Sequence, residues 1–151
     1  MATSNQLIPF LCYSKENKTV VREFFTHLKN EGWIDPWFDE EDILPSEKWQ
    51  DAVVKAVSAS HAVIVFLSNI ALKQEGFFHK ELNLALDTAN EKPEGAIFII
   101  PIRLEECEVP ERLQPYQYVD YFGDDTQKQR VYESLLVSLK TIAQKLDIKS
   151  A

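Results

Sequence analysis

The 151 residues of the chain predict an α/β fold, a parallel sheet with helices on both faces. Three observations support this prediction. Strand-like and helix-like hydrophobic patterns alternate along the chain. The strand-like segments are almost continuously apolar, as in strands buried on both faces, and the helix-like segments carry apolar residues at three- and four-residue spacing. The length fits one domain, expected over residues 7–146 with tails at 1–6 and 147–151.

Five apolar runs are the predicted strands, and they cover residues 7–13, 34–38, 62–67, 96–102 and 118–121. The run AVIVFL at 62–67 is rich in β-branched residues and should be central. Pro36 fits an edge position better, because proline donates no hydrogen bond to a neighbouring strand. Five such strands favour the order 2-1-3-4-5 of flavodoxin-like folds, whose ligands bind beyond the carboxyl ends of the strands.

Four helices are expected between and after these strands. The first covers residues 18–30 and stops before Gly32. The second begins near Trp49, with Ser46 as a candidate cap. The third follows Gly76, and the fourth runs towards the C-terminus. The loops expected at the carboxyl edge of the sheet are residues 14–18, 39–46 and 68–76.

Composition and charge exclude several classes of function. The formal net charge of -8 argues against a sequence-independent nucleic-acid surface. No apolar run approaches a membrane span and the first residues are too polar for a signal peptide, so we expect no membrane partner and a cytoplasmic location. Cys12 and Cys107 are expected to be free thiols. No metal site is expected, because the three histidines lack metal-ligand spacing: His27, His61 and His79.

Common catalytic motifs are missing from the sequence. It has four glycines and contains neither GxGxxG nor GxxxxGK[ST], so a phosphate cradle is not expected. No GxSxG elbow supports a hydrolase triad. A phospho-receiver needs acidic residues after the first strand and an aspartate after the third, where this chain has Tyr13-Ser14 and Ser68-Asn69. The acidic run at 39–42 could bind a cation, but a solvated loop is the preferred interpretation.

One carboxylate stands out in the third helix. Glu81 lies beside an apolar stripe and four residues after Phe77, so the ring and the carboxylate share a face. An acid against an aromatic ring, beside the loop that follows a central strand, is in the position that α/β folds use for ligands. The alternative is an exposed acid favoured by the helix dipole.

Three segments together resemble Toll/interleukin-1 receptor (TIR) domains, particularly the bacterial and axon-degeneration types, and the resemblance covers about residues 7–146. FLCYS at 10–14 is similar to the FISYS of the family's box 1. Residues 37–49 are similar to the BB loop, with its D…L-P-G…W pattern. FFHKEL at 77–82 is similar to the W-x-x-K-E-[LI] stretch of NAD-cleaving members. The three segments occur in the family's order on a βα scaffold.

The resemblance implies an NAD⁺ glycohydrolase with Glu81 as its catalytic carboxylate. Such an enzyme releases nicotinamide and leaves ADP-ribose or a cyclic form, and a buried carboxylate can stabilise the oxocarbenium character that develops. NAD⁺ is then a substrate, and no cofactor is expected. The expected substrate-binding residues are Tyr13, Ser14, Asp39, Trp49 and Phe77. For Trp49 and Phe77, simple core packing is an equally good interpretation.

The resemblance leaves a second function open, a non-catalytic module that binds other TIR domains through its BB loop. The expected contacts are Ile43, Leu44 and Pro45. The two functions can coexist, because the family's active sites are commonly completed by a neighbouring subunit. Self-association is therefore the expected switch, in bacterial immune defence by NAD⁺ depletion.

Three positions depart from the family pattern. Phe77 replaces the usual tryptophan, which keeps a ring but loses the indole N–H. Ser46 replaces the glycine after the BB-loop proline, so a backbone with positive φ would be strained there. Cys12 stands where serine is common. None of these changes removes the carboxylate of Glu81.

Overall fold

The structure, a computed structural model, describes residues 6–38, 45–73, 77–93 and 96–150, with only the backbone of Phe77. The strands are β1 (Pro9–Cys12), β2 (Ala62–Leu67), β3 (Phe98–Arg103) and β4 (Val119–Asp120). The helices are α1 (Lys18–Asn30), α2 (Trp49–Ala59), α3 (Asn69–Lys73), α4 (Phe77–Asn90) and α5 (Asp125–Lys145). Short 3-10 turns occupy Lys15–Asn17 and Glu111–Leu113. The predicted α/β fold is confirmed.

The four strands form one parallel sheet in the order β1-β2-β3-β4. Ile64 of β2 stands opposite Leu11 of β1 and Ile100 of β3. β2 is buried along its whole length, as the apolar run at 62–67 predicted. Because the strands are parallel, all four carboxyl ends meet at one edge of the sheet.

The segment predicted as the second strand, residues 34–38, forms only two isolated bridges, Leu7 to Ile34 and Phe10 to Trp37. The N–H of Trp37 donates to the carbonyl of Pro9 at 2.8 Å, so the segment runs parallel to β1. Pro36 donates no hydrogen bond and interrupts the ladder. The segment therefore flanks β1 as the order 2-1-3-4-5 predicts, but the count of five continuous strands is not confirmed.

Each face of the sheet supports its own hydrophobic core, because side chains alternate along a strand. Leu11, Ile64 and Phe66 pack with helices α1 and α5, and we call this side the α1–α5 face. Phe10, Cys12 and other strand residues pack with α2 and α4 on the opposite side, the α2–α4 face. The prediction of helices on both faces is confirmed.

Two local predictions are wrong. Ser46 does not cap α2: its φ is +73°, whereas a capping residue is extended, and the cap position belongs to Lys48 with φ -80° and ψ 123°. Residues 68–76 were expected to be a loop, but α3 occupies Asn69–Lys73. The hydroxyl of Ser68 accepts from the N–H of Ala71 at 3.2 Å, and this bond supports the first turn of α3.

Candidate functional site

Glu81 lies in the second turn of α4 and is completely buried, with 0% of its surface exposed. Both carboxylate oxygens are inaccessible to solvent. Transferring a carboxylate from water into a protein interior costs several kcal/mol unless the surroundings compensate it. An acid in this position is therefore not the exposed helix-start residue that the alternative interpretation required.

Helix α4 forms because its sequence combines good helix formers with an apolar stripe. The buried residues Phe78, Leu82, Ala85 and Leu86 recur at three- and four-residue spacing. This stripe packs against α2, and α4 also contacts β1. The helix is thus fixed on the α2–α4 face, and its packing holds the backbone of Glu81 in place.

Trp49 is the predicted site residue that shares this face with Glu81. It is half-buried at the start of α2 and packs against the α2–α4 core. Trp37 lies on the same face and stacks on Phe10, with ring centroids 4.8 Å apart and planes 10° from parallel. Two indole rings therefore border the core that contains the helix of Glu81.

Tyr13 is placed on the other side of the sheet. Its ring is buried in the α1–α5 core and stacks on Phe38 at a centroid distance of 5.2 Å. Because side chains alternate along a strand, Cys12 points to the α2–α4 face and Tyr13 does not. The structure does not bring Tyr13 together with Glu81, and its assignment to substrate binding stays a prediction.

Ser14 is buried at the carboxyl end of β1, where its polar groups have partners within the chain. Its hydroxyl donates to the carboxylate of Glu16, and its carbonyl accepts from the N–H of Asn17 at 2.8 Å. The hydrogen bond from Ser14 lowers the pKa of the Glu16 carboxyl. A substrate would have to exchange one of these bonds to use the Ser14 hydroxyl.

The remaining predicted site residues fall mostly outside the described part of the chain. Asp39, Ile43 and Leu44 lie outside the described residues, as does the side chain of Phe77. Pro45 is exposed in a turn immediately before the strained Ser46. The substrate and BB-loop assignments of these residues stay predictions.

The segment after β3 packs against α4 and forms hydrogen bonds with it. Leu113 is completely buried in the α2–α4 core, and Arg112 reaches from it to the surface of α4. The guanidinium donates to Asn83 at 3.0 Å and to Asp87 at 2.9 Å. Both partners are well exposed in the Arg112–Asp87 pair, so its contribution to stability is small. The buried leucine supplies most of the attachment.

Among the described residues, no three His, Cys, Asp or Glu side chains come together as metal ligands. No helix of the described chain is both long and apolar enough to cross a membrane. Cys12 and Cys107 are both buried, and neither forms a disulfide within the described residues.

Two residues close to Glu81 in the sequence or on the same face of the sheet were given no role at the site from the sequence, Trp37 and His79. Trp37 was part of the quoted motif, and an aromatic residue directly before a long polar loop is the signal that could have identified it. His79 lies in the first turn of α4, is half-buried, and has its Nε2 3.2 Å from the carbonyl of Leu72. Nothing in its spacing singles it out, because its partner belongs to the unpredicted helix α3.

Solved structures with the same fold include two TIR-containing receptors and a SEFIR domain. The TIR domain of the Toll-related receptor TRR-2 from Hydra magnipapillata has 24% identity and a TM-score of 0.69, over 87% of this chain and 97% of that one. A prokaryotic SEFIR domain has 13% identity and a TM-score of 0.63, over 89% and 92%. A TIR-STING receptor from C. gigas, solved in complex with 2',3'-cGAMP, has 21% identity and a TM-score of 0.64, over 95% of this chain and 40% of that one.

These likenesses lie below 25% identity and support the fold alone. No curated protein matches the chain. The family model of the TIR domain, in contrast, matches residues 10–136, which include all but the first residue of β1, and also the helix of Glu81. With that match across most of its length, the chain belongs to the TIR domain family.

Proposed function

We propose that this TIR domain is an NAD⁺ glycohydrolase in which Glu81 is the catalytic carboxylate. The observation that carries the proposal is the complete burial of Glu81 in the second turn of α4. A domain that only binds partners gains nothing from a buried carboxylate, whose desolvation costs free energy. The similarity of residues 77–82 to the corresponding stretch of NAD-cleaving TIR domains supports the same role.

The reaction breaks the bond between the nicotinamide nitrogen and C1′ of the ribose. The nicotinamide ring carries a positive charge in NAD⁺ and leaves as a neutral molecule, so no general acid is needed. Positive charge then develops on the ribose, and an oriented carboxylate in a site of low dielectric stabilises it strongly. Glu81 would supply this charge or hold the ribose hydroxyls. Water attacking C1′ yields ADP-ribose and a proton, whereas attack by an atom of the ligand yields a cyclic product.

Flat rings on the α2–α4 face suit a ligand with two aromatic bases. Trp49 and Trp37 are both half-buried beside the core that holds α4, so neither residue is fully enclosed. Stacking on such rings favours planar ligands. Asp39, Phe77, Ser14 and Tyr13 stay the other proposed substrate contacts.

Burial of Glu81 also supports control of the activity by self-association. In this conformation neither carboxylate oxygen can touch a substrate, so NAD⁺ reaches Glu81 only after the surroundings of α4 rearrange. Association with other TIR domains through Ile43, Leu44 and Pro45 would supply the free energy for this rearrangement. A cytoplasmic role in immune defence by NAD⁺ depletion completes the proposal and follows from the family resemblance.

The test is nicotinamide release from NAD⁺ across a range of protein concentrations, with and without forced clustering. Glu81→Gln is the informative variant because it keeps the shape of the side chain and removes its charge. We expect release to rise more than linearly with concentration, and the variant to reduce it by about 100-fold or more. Glu91→Gln is the matched control, because Glu91 is an exposed carboxylate just beyond α4 and should behave like the unmodified protein.

Two results would change the conclusion. Absence of release even from clustered protein would leave the non-catalytic interaction module. Unchanged release in Glu81→Gln would mean that another residue performs the chemistry. Thermal unfolding followed by circular dichroism must show that the variant is folded, so that its loss of activity is not a loss of structure.

A further inference from the structure

A groove with a volume of about 430 Å³ lies at the carboxyl edge of the sheet. Its walls come from the segments that follow all four strands, among them Asn17, Ser68, Glu105 and Tyr121, and from the start of α5. This volume is in the range of small-molecule sites. Ligands of open α/β sheets commonly bind at this edge.

The groove is separate from Glu81, the proposed catalytic carboxylate of the NAD⁺ site. Val20, Leu104 and Tyr121 pack against the core of the α1–α5 face, whereas the helix of Glu81 packs on the α2–α4 face. None of the residues proposed to contact NAD⁺ lines the groove. A ligand bound here would therefore not occupy the space in front of Glu81.

A partly buried hydrogen bond fixes one wall of the groove. Ser68 is 2% exposed, and its hydroxyl donates to Oδ1 of Asn17 at 2.8 Å. This bond connects the 3-10 turn after β1 to the residue after β2. Because the Oδ1 atom is engaged, the orientation of the Asn17 amide is set and its Nδ2 remains able to donate to a ligand.

The groove also presents one negative and one positive group that do not pair with each other. Oε2 of Glu105 accepts from the N–H of Asn69 at 2.7 Å, which leaves Oε1 without a hydrogen-bond partner in the described chain. Lys128 forms no ion pair within the described residues, and its Nζ lies 5.8 Å from the centroid of the Tyr121 ring. Both charges are therefore available to a ligand.

The charged groups around the groove favour a ligand that carries both a positive and a negative charge. Burial raises the pKa of the Tyr121 phenol, and the nearby carboxylates of Glu23 and Asp125 raise it further. These acids add to the charge of Glu105, so an anion would be repelled except close to Lys128. A simple cation could pair with Glu105 but would leave Lys128 without a counter-charge. A ligand with one positive and one negative charge can pair with both Glu105 and Lys128.

The rest of the lining is apolar. Val20, Leu104 and the ring of Tyr121 form the wall next to the α1–α5 core, and Ile70 lies at the rim with 42% of its surface exposed. An apolar group covering Ile70 would remove an unusually exposed large side chain from water. The favoured ligand thus carries a hydrophobic group as well as its two charges.

We propose that this groove binds a small zwitterion of the α-amino acid type with an apolar or aromatic side chain. Its ammonium group would pair with Glu105 and its carboxylate with Lys128 and the Asn17 amide. Its side chain would lie against Tyr121 and Ile70. Such a site would make the domain responsive to a free amino acid, independently of whether Glu81 cleaves NAD⁺.

The test is a titration of the ¹⁵N-labelled chain with L-phenylalanine, followed by amide chemical shifts. We expect saturable shifts that concentrate at Asn17, Ser68, Glu105 and Gly123, with a Kd in roughly the millimolar range. Phenylalaninamide lacks the carboxylate and N-acetylphenylalanine lacks the ammonium group, so each should bind at least about 10-fold more weakly. L-leucine and L-tryptophan, titrated alongside, test the tolerance of the apolar wall.

Two variants separate charge recognition from general binding. Glu105→Gln retains an oxygen that can accept from the N–H of Asn69, and Lys128→Gln retains much of the side-chain length. Each should weaken L-phenylalanine binding by about 10-fold, while the exposed Lys140→Gln should leave it unchanged. The spectra themselves report whether the variants are folded.

Either of two results would overturn the proposal. One is the absence of saturable shifts around the groove with all three amino acids at about 20 mM, a concentration that would half-saturate even a site with a Kd of that size. The other is binding of phenylalaninamide and N-acetylphenylalanine as tight as that of L-phenylalanine. Neither result bears on nicotinamide release, so failure of this proposal and failure of the proposed enzyme function are distinguishable.

Discussion

Replacing Ser46 with glycine is expected to stabilise the protein. Ser46 adopts φ +73°, in the left-handed region where a Cβ atom is crowded. An L-residue in this region is strained by roughly 1–2 kcal/mol, and glycine removes that strain. Glycine also gives the unfolded chain more conformational freedom, which offsets roughly 0.4–1 kcal/mol of this gain in stability. The difference is an increase of about 0.5–1 kcal/mol in the free energy of unfolding.

The assay is thermal and urea unfolding followed by circular dichroism. For a domain of this length, the expected increase corresponds to a rise in Tm of roughly 1–4 °C. Ser46→Ala removes the hydroxyl but keeps the Cβ atom, so it should not stabilise. Ser58→Gly lies on the exposed side of α2 and should destabilise by about 0.5 kcal/mol. The reasoning is refuted if Ser46→Gly lowers the free energy of unfolding or matches Ser46→Ala.

Three further perturbations test other contacts. Arg103 donates two hydrogen bonds to Asp120, of 2.6 and 2.8 Å. Arg103→Lys cannot form this pair of bonds, so urea unfolding should show a free energy of unfolding lower by roughly 1 kcal/mol, after allowance for solvent exposure. An unchanged free energy of unfolding would mean that one bond suffices. Tyr132→Phe removes the 3.0 Å hydrogen bond to Glu31 and should lower the free energy of unfolding by about 1 kcal/mol. An unchanged urea midpoint would show that water replaces this bond without loss of stability. His61 accepts through Nδ1 from the N–H of the residue before β1 at 2.9 Å, and burial lowers its pKa below the ordinary 6.5. The unfolded chain therefore takes up the proton first, and stability should fall as the pH drops below about 6.5, with a slope of up to about 1.4 kcal/mol per pH unit. His61→Asn keeps an acceptor without a titrating group and should flatten this slope, and an equally steep decline in that variant would assign the pH dependence to other groups.

The sequence predicts most of the fold because its signals are local. The run at 62–67 is apolar and β-branched, and it forms the buried central strand β2. The apolar stripe after Gly76 predicts α4, and Asp124 caps the last helix by accepting from the N–H of Gln127 at 2.8 Å. The segment at 34–38 has the composition of a strand but only two bridges, since Pro36 interrupts its hydrogen bonding.

The candidate site could be predicted less completely, because it depends on which way side chains point. Tyr13 and Glu81 both adjoin the carboxyl edge, yet the alternation along β1 directs Tyr13 to the face opposite α4. Ser46 is the opposite case. Its departure from a glycine in the family pattern predicts strain at positive φ, and its φ of +73° agrees.

The groove at the carboxyl edge could not be predicted from local patterns at all. Asn17, Ser68, Glu105 and Lys128 are separated by long stretches of chain, and each alone is an ordinary polar residue of a loop or helix. Only the parallel sheet brings them to one edge. A site assembled from the ends of four strands becomes visible when the strand order and register are known.

Burial of Glu81 makes accessibility the step that self-association would control in the proposed enzyme. If a conformation with an accessible carboxylate holds about 1% of the molecules, the measured Kd for NAD⁺ is roughly 100-fold weaker than that of the open form. An assembly that holds the open form removes this factor, which corresponds to about 2.7 kcal/mol. Forced clustering should therefore lower KM by up to this factor, whereas Glu81→Gln should lower kcat in every state of assembly. Clustering that raised kcat and left KM unchanged would contradict this account, because the closed form would then already bind NAD⁺ as well as the open one.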